Sequence, residues 1–424
     1  MSKEIAEFSF DLHSGLSSLT VPEFDQLPIL GMCATLAVHI KGLGAIEYEV
    51  LRKVSDHFMS IPSYALRQVV EVLEEIGFLT IVSRGRTIEK ILPNIPVFDN
   101  VYEGLGEFAS NEISFNEHEA ATVEILSALY DAPRSRDSLL AKSGIDKLVF
   151  DRCVLLGGSS GIMTEQMARG KSILISPYYF ADNLTGLADT VASAGTPALQ
   201  STLQKIKESQ GWPLSLVAST GKIGEFSLTP TEQQLVQKLA AEGIVKPPTI
   251  SFGNRTESFL FTPKPGNARL NAANREIYER AMALISAVRK GQLLPKEIRI
   301  RSPLAILRAL RRDGFLGSNS EAADQYRNLV VLKVAYLHET VPGRWQLHLH
   351  KTPENERALD LAIELLQEGT VSNMEVNEEA RLALSKGEEY IQSLISASEL
   401  KKREKQLTDP QAIEEFEQLV MQFD

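Results

Sequence analysis

The sequence predicts a mainly α-helical chain with small β-hairpins, an α+β class, organised as four tandem modules followed by a C-terminal helical tail. Three observations predict it. Glycine turns flanked by basic residues recur at positions 85, 170, 253 and 343, at spacings of 85, 83 and 90 residues. Alternating apolar and polar residues around each turn are the pattern of a hairpin, with Gly supplying the positive φ of a tight turn. Ahead of each hairpin, a helix-patterned stretch ends on Gly followed by two apolar residues, the usual left-handed stop and entry into a strand.

The first module spans residues 1–98. Its last helix is expected over Pro62–Ile76, ending in Gly77-Phe78-Leu79 and leading to the turn Arg84-Gly85-Arg86. The second, 99–183, has a loose, Gly-rich junction ending in Gly161-Ile162-Met163, then Arg169-Gly170-Lys171. In the third, 184–266, Thr229-Pro230-Thr231-Glu232 is a capping box with Pro at the first helical position. That helix stops at Gly243-Ile244-Val245 before the turn Gly253-Asn254-Arg255. The stretch Lys205 to Thr220 reads as irregular through Trp212-Pro213, so no short second helix is expected there. In the fourth, 267–352, Ser302-Pro303 opens a helix that stops at Gly314-Phe315-Leu316, taken as the entry to the hairpin turned at Pro342-Gly343-Arg344. Asp99-Asn100 and Asp182-Asn183 each lead into a similar linking helix. Beyond these, 353–424 is the tail: an amphipathic helix over 353–369, then a charged, helix-prone stretch broken near Asp409-Pro410 that reads as a packing or oligomerisation element.

The order helix, helix, capped helix, Gly, strand, basic turn, strand resembles the winged-helix (winged helix-turn-helix) superfamily in tandem copies, over roughly residues 20–352. The pattern matches no particular family within it. The resemblance implies that the helix before each hairpin enters a DNA major groove and that the wing touches phosphate or the minor groove.

Charge decides which modules suit that use. The chain carries a net −11, which argues against nonspecific coating of nucleic acid, yet residues 246–350 hold 17 Lys/Arg against 8 Asp/Glu, a net of +9. Module four is the best candidate: Arg308, Arg311 and Arg312 share the outer face of its capped helix, Arg299 and Arg301 precede the cap, and Arg344 sits at the wing tip. Module one is second, with Arg67 and Gln68 on its helix and Arg84, Arg86 and Lys90 on its wing. Glu71, Glu74 and Glu75 would repel phosphate from the helix's later half. The remaining tips, Arg169, Lys171 and Arg255, belong to modules better read as spacers. The expectation is a two-point grip on double-stranded DNA, by a regulator or the DNA-contacting subunit of a larger complex. The alternative is a non-catalytic protein-interaction scaffold, with a protein partner or a homo-oligomer formed through the C-terminal helices.

Chemistry is sparse. Gly157 to Gly161 matches G-x-S-x-G, but it lies between a helix and a hairpin, where a flexible turn is expected rather than a nucleophile elbow. His348 and His350 alternate on one strand without an apparent third metal ligand. Cys33 and Cys153 fit no metal or redox motif. No enzyme, cofactor or metal site is expected. With no signal-peptide pattern and no run of apolar residues long enough to span a bilayer, the expected location is cytoplasmic and off the membrane.

Overall fold

The computed structural model describes residues 2–17, 21–96, 98–180, 183–245, 249–252, 255–263, 272–294, 299–369 and 378–386. The chain is α+β: helices dominate, with small antiparallel sheets. It divides into two compact units, residues 1–116 with 376–424, and residues 117–375.

In the first unit, α1 (Ser2–Leu16) and α2 (Leu27–Ile40) precede a two-residue strand β1 (Ile46–Glu47), then α3 (Tyr48–Met59), α4 (Ser63–Glu75), the hairpin β2 (Leu79–Arg84) and β3 (Thr87–Pro93), and α5 (Phe98–Glu112). β3 lies between β2 and β1, so both of its edges are paired. α4 ends as its sequence requires. Gly77 is left-handed (φ 85°), and Phe78 N donates to Leu73 O at 2.8 Å. Leu66, Val69, Val70 and Leu73 of α4 pack with Leu51 and Ile91 in a fully buried core. Each such side chain contributes about 1.5–3 kcal/mol on removal from water.

The second unit repeats the order. α6 (Glu117–Asp131), β4 (Arg134–Ser135), α7 (Arg136–Ser143), α8 (Lys147–Ser159) and the hairpin β5 (Thr164–Ala168) and β6 (Lys171–Ile175) form one set, with β6 between β4 and β5. After α9 (Leu184–Ala194) come α10 (Thr196–Lys207), β7 (Trp212–Pro213), α11 (Leu214–Thr220), a small hairpin β8 (Lys222–Ile223) and β9 (Phe226–Ser227), α12 (Pro230–Ala241), and β10 (Thr249–Phe252) with β11 (Arg255–Leu260). β11 pairs with β10 and β7. Then follow α13 (Ala272–Lys290), a 3-10 turn (Gly291–Leu293), α14 (Pro303–Asp313), the short α15 (Ala322–Gln325) and α16 (Arg327–Val331), the hairpin β12 (Ala335–Val341) and β13 (Arg344–Leu349), and α17 (Pro353–Glu368). α17 is integral to this unit: Ala358, Leu359, Ala362 and Leu365 share one buried core with α13, Leu307 and Leu310. Downstream, α18 (Glu378–Lys386) belongs to the first unit, where Ala380, Ala383 and Leu384 enter the core and Arg381 Nη1 donates to His39 O at 3.0 Å. The part of the tail around Asp409-Pro410 lies outside the described residues.

Three local expectations are corrected. The third module has its second helix. Trp212-Pro213 is no irregularity but the strand that pairs with Leu260 and Phe259, after which Pro213 (φ −64°) opens α11 and Glu257 Oε1 accepts from Ser215 N at 3.0 Å. The Gly157-Gly158 stretch is not a flexible turn. It continues α8, and a Cβ on Gly157 would run into the Met163 side chain.

The third correction concerns Gly314. It does cap α14 (φ 80°), but Phe315 and Leu316 do not enter the hairpin's first strand. Leu316 N donates to Leu347 O at 2.9 Å, and Asn319 and Trp345 exchange bonds at 3.0 and 2.9 Å, so residues 314–319 pair along the free edge of β13. The helix that runs directly into the hairpin is α16. Lys333 (φ 54°) takes the place Gly77 has in the first unit, and Val334 N donates to Leu329 O at 2.9 Å, as Phe78 does to Leu73.

The capping box on α12 forms as expected, and it is extended. Glu232 Oε2 accepts from Thr229 N at 2.8 Å, while its Oε1 accepts from Lys205 Nζ at 2.6 Å and Ser201 Oγ at 2.7 Å, tying α12 to α10. Burial would raise this carboxyl's pKa. The Lys205 ammonium and the hydrogen bonds from Thr229 and Ser201 outweigh that and bring it down to about 2.

Two outcomes are expected from urea unfolding. Gly31→Ala should destabilise the first unit by about 1–3 kcal/mol, although helix propensity alone would favour Ala, because the added Cβ would overlap the Ser9 carbonyl and His13 of α1. Glu232→Ala should cost about 1–3 kcal/mol in the second unit. Since its folded pKa lies below the ordinary 4.5, the stability it gives is complete above that pH and is lost as pH falls through about 2. The wild-type minus Glu232→Ala difference should therefore shrink across that window.

Candidate nucleic-acid interface

A helix that meets DNA needs cations without internal partners. α14 is built to display them: Ser302 Oγ accepts from Ala305 N at 3.3 Å, Pro303 sets the first turn, and Leu307 and Leu310 hold the helix to the core. The opposite face carries Arg301 ahead of the helix, then Ala305, Arg308 and Arg312, all exposed. Among the described residues, Arg301 and Arg308 have no ion pair or hydrogen bond. Arg312 closes its fork on Asp313 at 2.8 and 2.7 Å, which cancels its charge locally. Arg311 turns the other way and grips Asp360 of α17 at 2.6 and 3.1 Å, with Glu356 at 3.7 Å. Arg299 Nε donates to Leu294 O at 3.1 Å, and Arg344 Nη2 donates to Ser318 O at 2.8 Å, binding the hairpin tip to the 314–319 segment.

The basic run that begins at Arg289 is only partly a surface. Arg289 donates to Gln210 O at 3.0 Å and lies over the Trp212 ring at 5.4 Å, and burial pushes its pKa down to about 10. Lys290 is 4% exposed and donates to Asp324 O at 2.5 Å. Both are structural cations that counting charges along the sequence cannot separate from free ones.

In the first unit the tip is free. Arg84 and Arg86 flank Gly85 (φ 66°), are exposed, and have no partner among the described residues; Lys90 is half-buried on β3. On α4, Gln68 is exposed, while Arg67 is matched by Glu71 at 2.9 Å. The middle tips differ. Arg169 is held at φ 50° with its fork on Asp189 at 2.7 and 3.2 Å, and Lys238 reaches the same carboxylate at 3.2 Å. Hydrogen bonds from Arg169 and Lys238 bring Asp189 down to about 2. Lys171 Nζ donates to Ala192 O at 3.4 Å. The second tip is therefore folded back onto α9, where Asp189 also meets Lys238 of α12. The third tip, Gly253-Asn254 with the side chain of Arg255, lies outside the described residues.

Two features escaped sequence reasoning. The outer face of β12–β13 carries an aromatic and imidazole row: Tyr336 stacks on His348 (centroids 5.1 Å, planes 14°), Phe315 lies 5.6 Å from His348 on the other side, and His350 is 5.0 Å from Tyr336. The alternation of His348 and His350 marked one strand of it. The residues opposite, Tyr336 against His348 and His338 against Gln346, are set by a register shift between Glu339 and Val341. Among the described residues no group of three metal-ligating side chains could hold an ion. The second feature is apolar. Side chains exposed on the helices that lead into hairpins include Tyr64 on α4 (76% exposed), Leu148 on α8 (79%) and Val331 on α16 (71%).

The nucleophile-elbow match has no catalytic geometry. Ser159 ends a helix rather than following a strand, and its Oγ donates to Leu155 O at 3.0 Å. No helix among the described residues is long and apolar enough to cross a membrane. No protein-family model, curated protein or solved structure matches the chain.

Arg311→Ala should lower the stability of the second unit by about 0.5–1 kcal/mol, the range of a half-exposed ion pair, since its loss unties α14 from α17. Chemical denaturation of Arg311→Ala, Asp360→Ala and the double variant measures it. A coupling energy indistinguishable from zero would remove the pair from the structural account.

Proposed function

We propose that the recurring helix–strand–helix–helix–hairpin set is a winged-helix module and that the chain is a non-enzymatic protein that binds duplex DNA by its phosphate backbone. The single observation that carries this is the placement of unpaired guanidinium groups. Arg301 and Arg308 stand on one exposed face around α14, and Arg84 and Arg86 stand at the first unit's hairpin tip. Isolated cations that no carboxylate neutralises are what a phosphate lattice attracts. Base readout is not part of the proposal. α16, the helix that runs into the last hairpin, exposes Val330 and Val331 beside a single arginine, Arg327, which lies 3.9 Å from Asp324, and the late half of α4 exposes Glu71 and Glu75.

A second reading, a scaffold that binds other proteins, is favoured by a different observation. Exposed Leu148, Leu155, Val330 and Val331 lie on hairpin-preceding helices, and apolar side chains left in water suit a protein partner.

Binding of the full chain to random duplex DNA by fluorescence anisotropy separates the two. Binding at ~50 mM salt that weakens steeply by ~200 mM is expected. Arg308→Ala with Arg301→Ala should reduce affinity for all sequences alike and make the log–log salt slope shallower by about 1.8, at ~0.9 for each phosphate no longer neutralised. No binding at ~50 mM salt would end the DNA reading and leave the scaffold.

A further inference from the structure

The second unit contains a cleft that the proposed DNA-binding arginines do not use. It lies where the end of α6, the turn after β6, α10, the start of α13 and the end of α17 converge. The turn is made by Tyr179 N and Phe180 N, which both donate to Ser176 O, and it delivers consecutive aromatic side chains to one wall. Tyr130 meets Tyr179 edge to face, with centroids 5.1 Å apart and planes at 73°. Tyr278, 2% exposed, lines the cleft from α13. Gln210, itself buried, donates to Thr262 Oγ1 at 2.7 Å and to Gly369 O at 2.9 Å, so two of the walls are tied together rather than merely adjacent.

Its polar groups are unbalanced. Asp131 is already met: Gln200 Nε2 donates to it at 3.2 Å, and its charge acts on the Arg134 guanidinium beside it. Lys207 is not met. Its ammonium lies 5.4 Å from the centre of the Tyr130 ring, and no carboxylate among the described residues is within ion-pair distance. The Tyr278 hydroxyl belongs to the same cleft, and burial pushes its pKa up, so it remains a neutral donor. A half-buried cation that no carboxylate meets, set among aromatic walls that include a neutral hydroxyl donor, is complementary to an anion that carries a flat apolar body.

Size narrows the class. The cleft has a volume of about 100 Å³, below the roughly 150 Å³ of a closed apolar cavity that admits benzene. It is open on one side, so a single ring can enter with part of its body and its acid group at the mouth, and the enclosed space holds no more than that. We infer that this cleft binds a small single-ring aromatic carboxylate, its ring among Tyr130, Tyr179 and Tyr278 and its carboxylate on Lys207. This stands on the second unit alone and is independent of the DNA reading.

The test uses the full chain with benzoate, its neutral isostere benzamide, and cyclohexanecarboxylate, read by saturation-transfer NMR and by the thermal unfolding midpoint. Benzoate should give saturation transfer and raise the midpoint by about 2–4 °C near tenfold saturation. Benzamide should bind about fivefold more weakly, the worth of one partly exposed ion pair, and cyclohexanecarboxylate more weakly than benzoate. Lys207→Gln should abolish the benzoate-over-benzamide preference, and Lys207→Arg should restore it, which a merely structural role for the side chain would not do. No saturation transfer from benzoate at ~10 mM, above the range of a millimolar dissociation constant, overturns the inference. So does equal binding of benzoate and benzamide, or a preference that survives in a folded Lys207→Gln variant.

Discussion

The constraint on which this structure depends is that each of the four longer hairpins pairs its second strand on both edges. β3 is flanked by β2 and β1, β6 by β5 and β4, and β11 by β10 and β7. A two-stranded hairpin alone is marginal in water, because one edge of each strand leaves its amides and carbonyls unpaired. Two residues between helices are enough to close that edge. They also fasten the hairpin to its helices, which fixes where the turn and its cations point. In the last set the same need is met by residues 314–319 along β13, with Leu349 N donating to Gly314 O at 2.9 Å.

That solution has a consequence for α14. Because the chain after Gly314 is taken up by the edge of β13, α14 stands one step earlier in the set than its local sequence suggests. Its arginines then face different neighbours. Arg311 is drawn to Asp360 and Glu356 of α17, and Arg308 and Arg301 are left to solvent. The proposed DNA contact rests on those left over, and it is a contact with phosphate because two isolated guanidinium groups supply charge without a set of side chains arranged to read base edges.

Pairing sorts three of the four basic turns in the same way. Arg84 and Arg86 are free, Arg169 is closed on Asp189, and Arg344 is tethered to a carbonyl. At the level of sequence these turns are near equivalents. Their difference arises from acids and carbonyls that lie 20 or more residues away in the chain, such as Asp189 for Arg169 and Ser318 for Arg344. The cleft with Lys207 was invisible for the same reason: its walls come from segments between Tyr130 and Gly369 that no local pattern connects.

Helix ends, hairpin turns and the α+β class were legible because they are set by nearby residues. Gly77, Gly161 and Gly243 adopt the left-handed conformation their positions demanded, and the Thr229–Glu232 capping box formed as written. The aromatic row on β12–β13 was half legible, since strand alternation places His348 and His350 but not the residues across the turn. What the sequence could not decide was partnership. Gly314-Phe315-Leu316 has the same local signature as Gly77-Phe78-Leu79, and only the tertiary structure shows which strand edge receives it, because a backbone hydrogen bond is specified by the edge that remains open and not by the side chains that approach it. The sequence by itself determined the ends of those helices that carry a local stop or cap, such as α4 at Gly77 and α12 at Thr229. Tertiary structure alone decided which cations are spent inside the protein and which are left to solvent, because an arginine's availability depends on the distance to carboxylates contributed by remote parts of the chain.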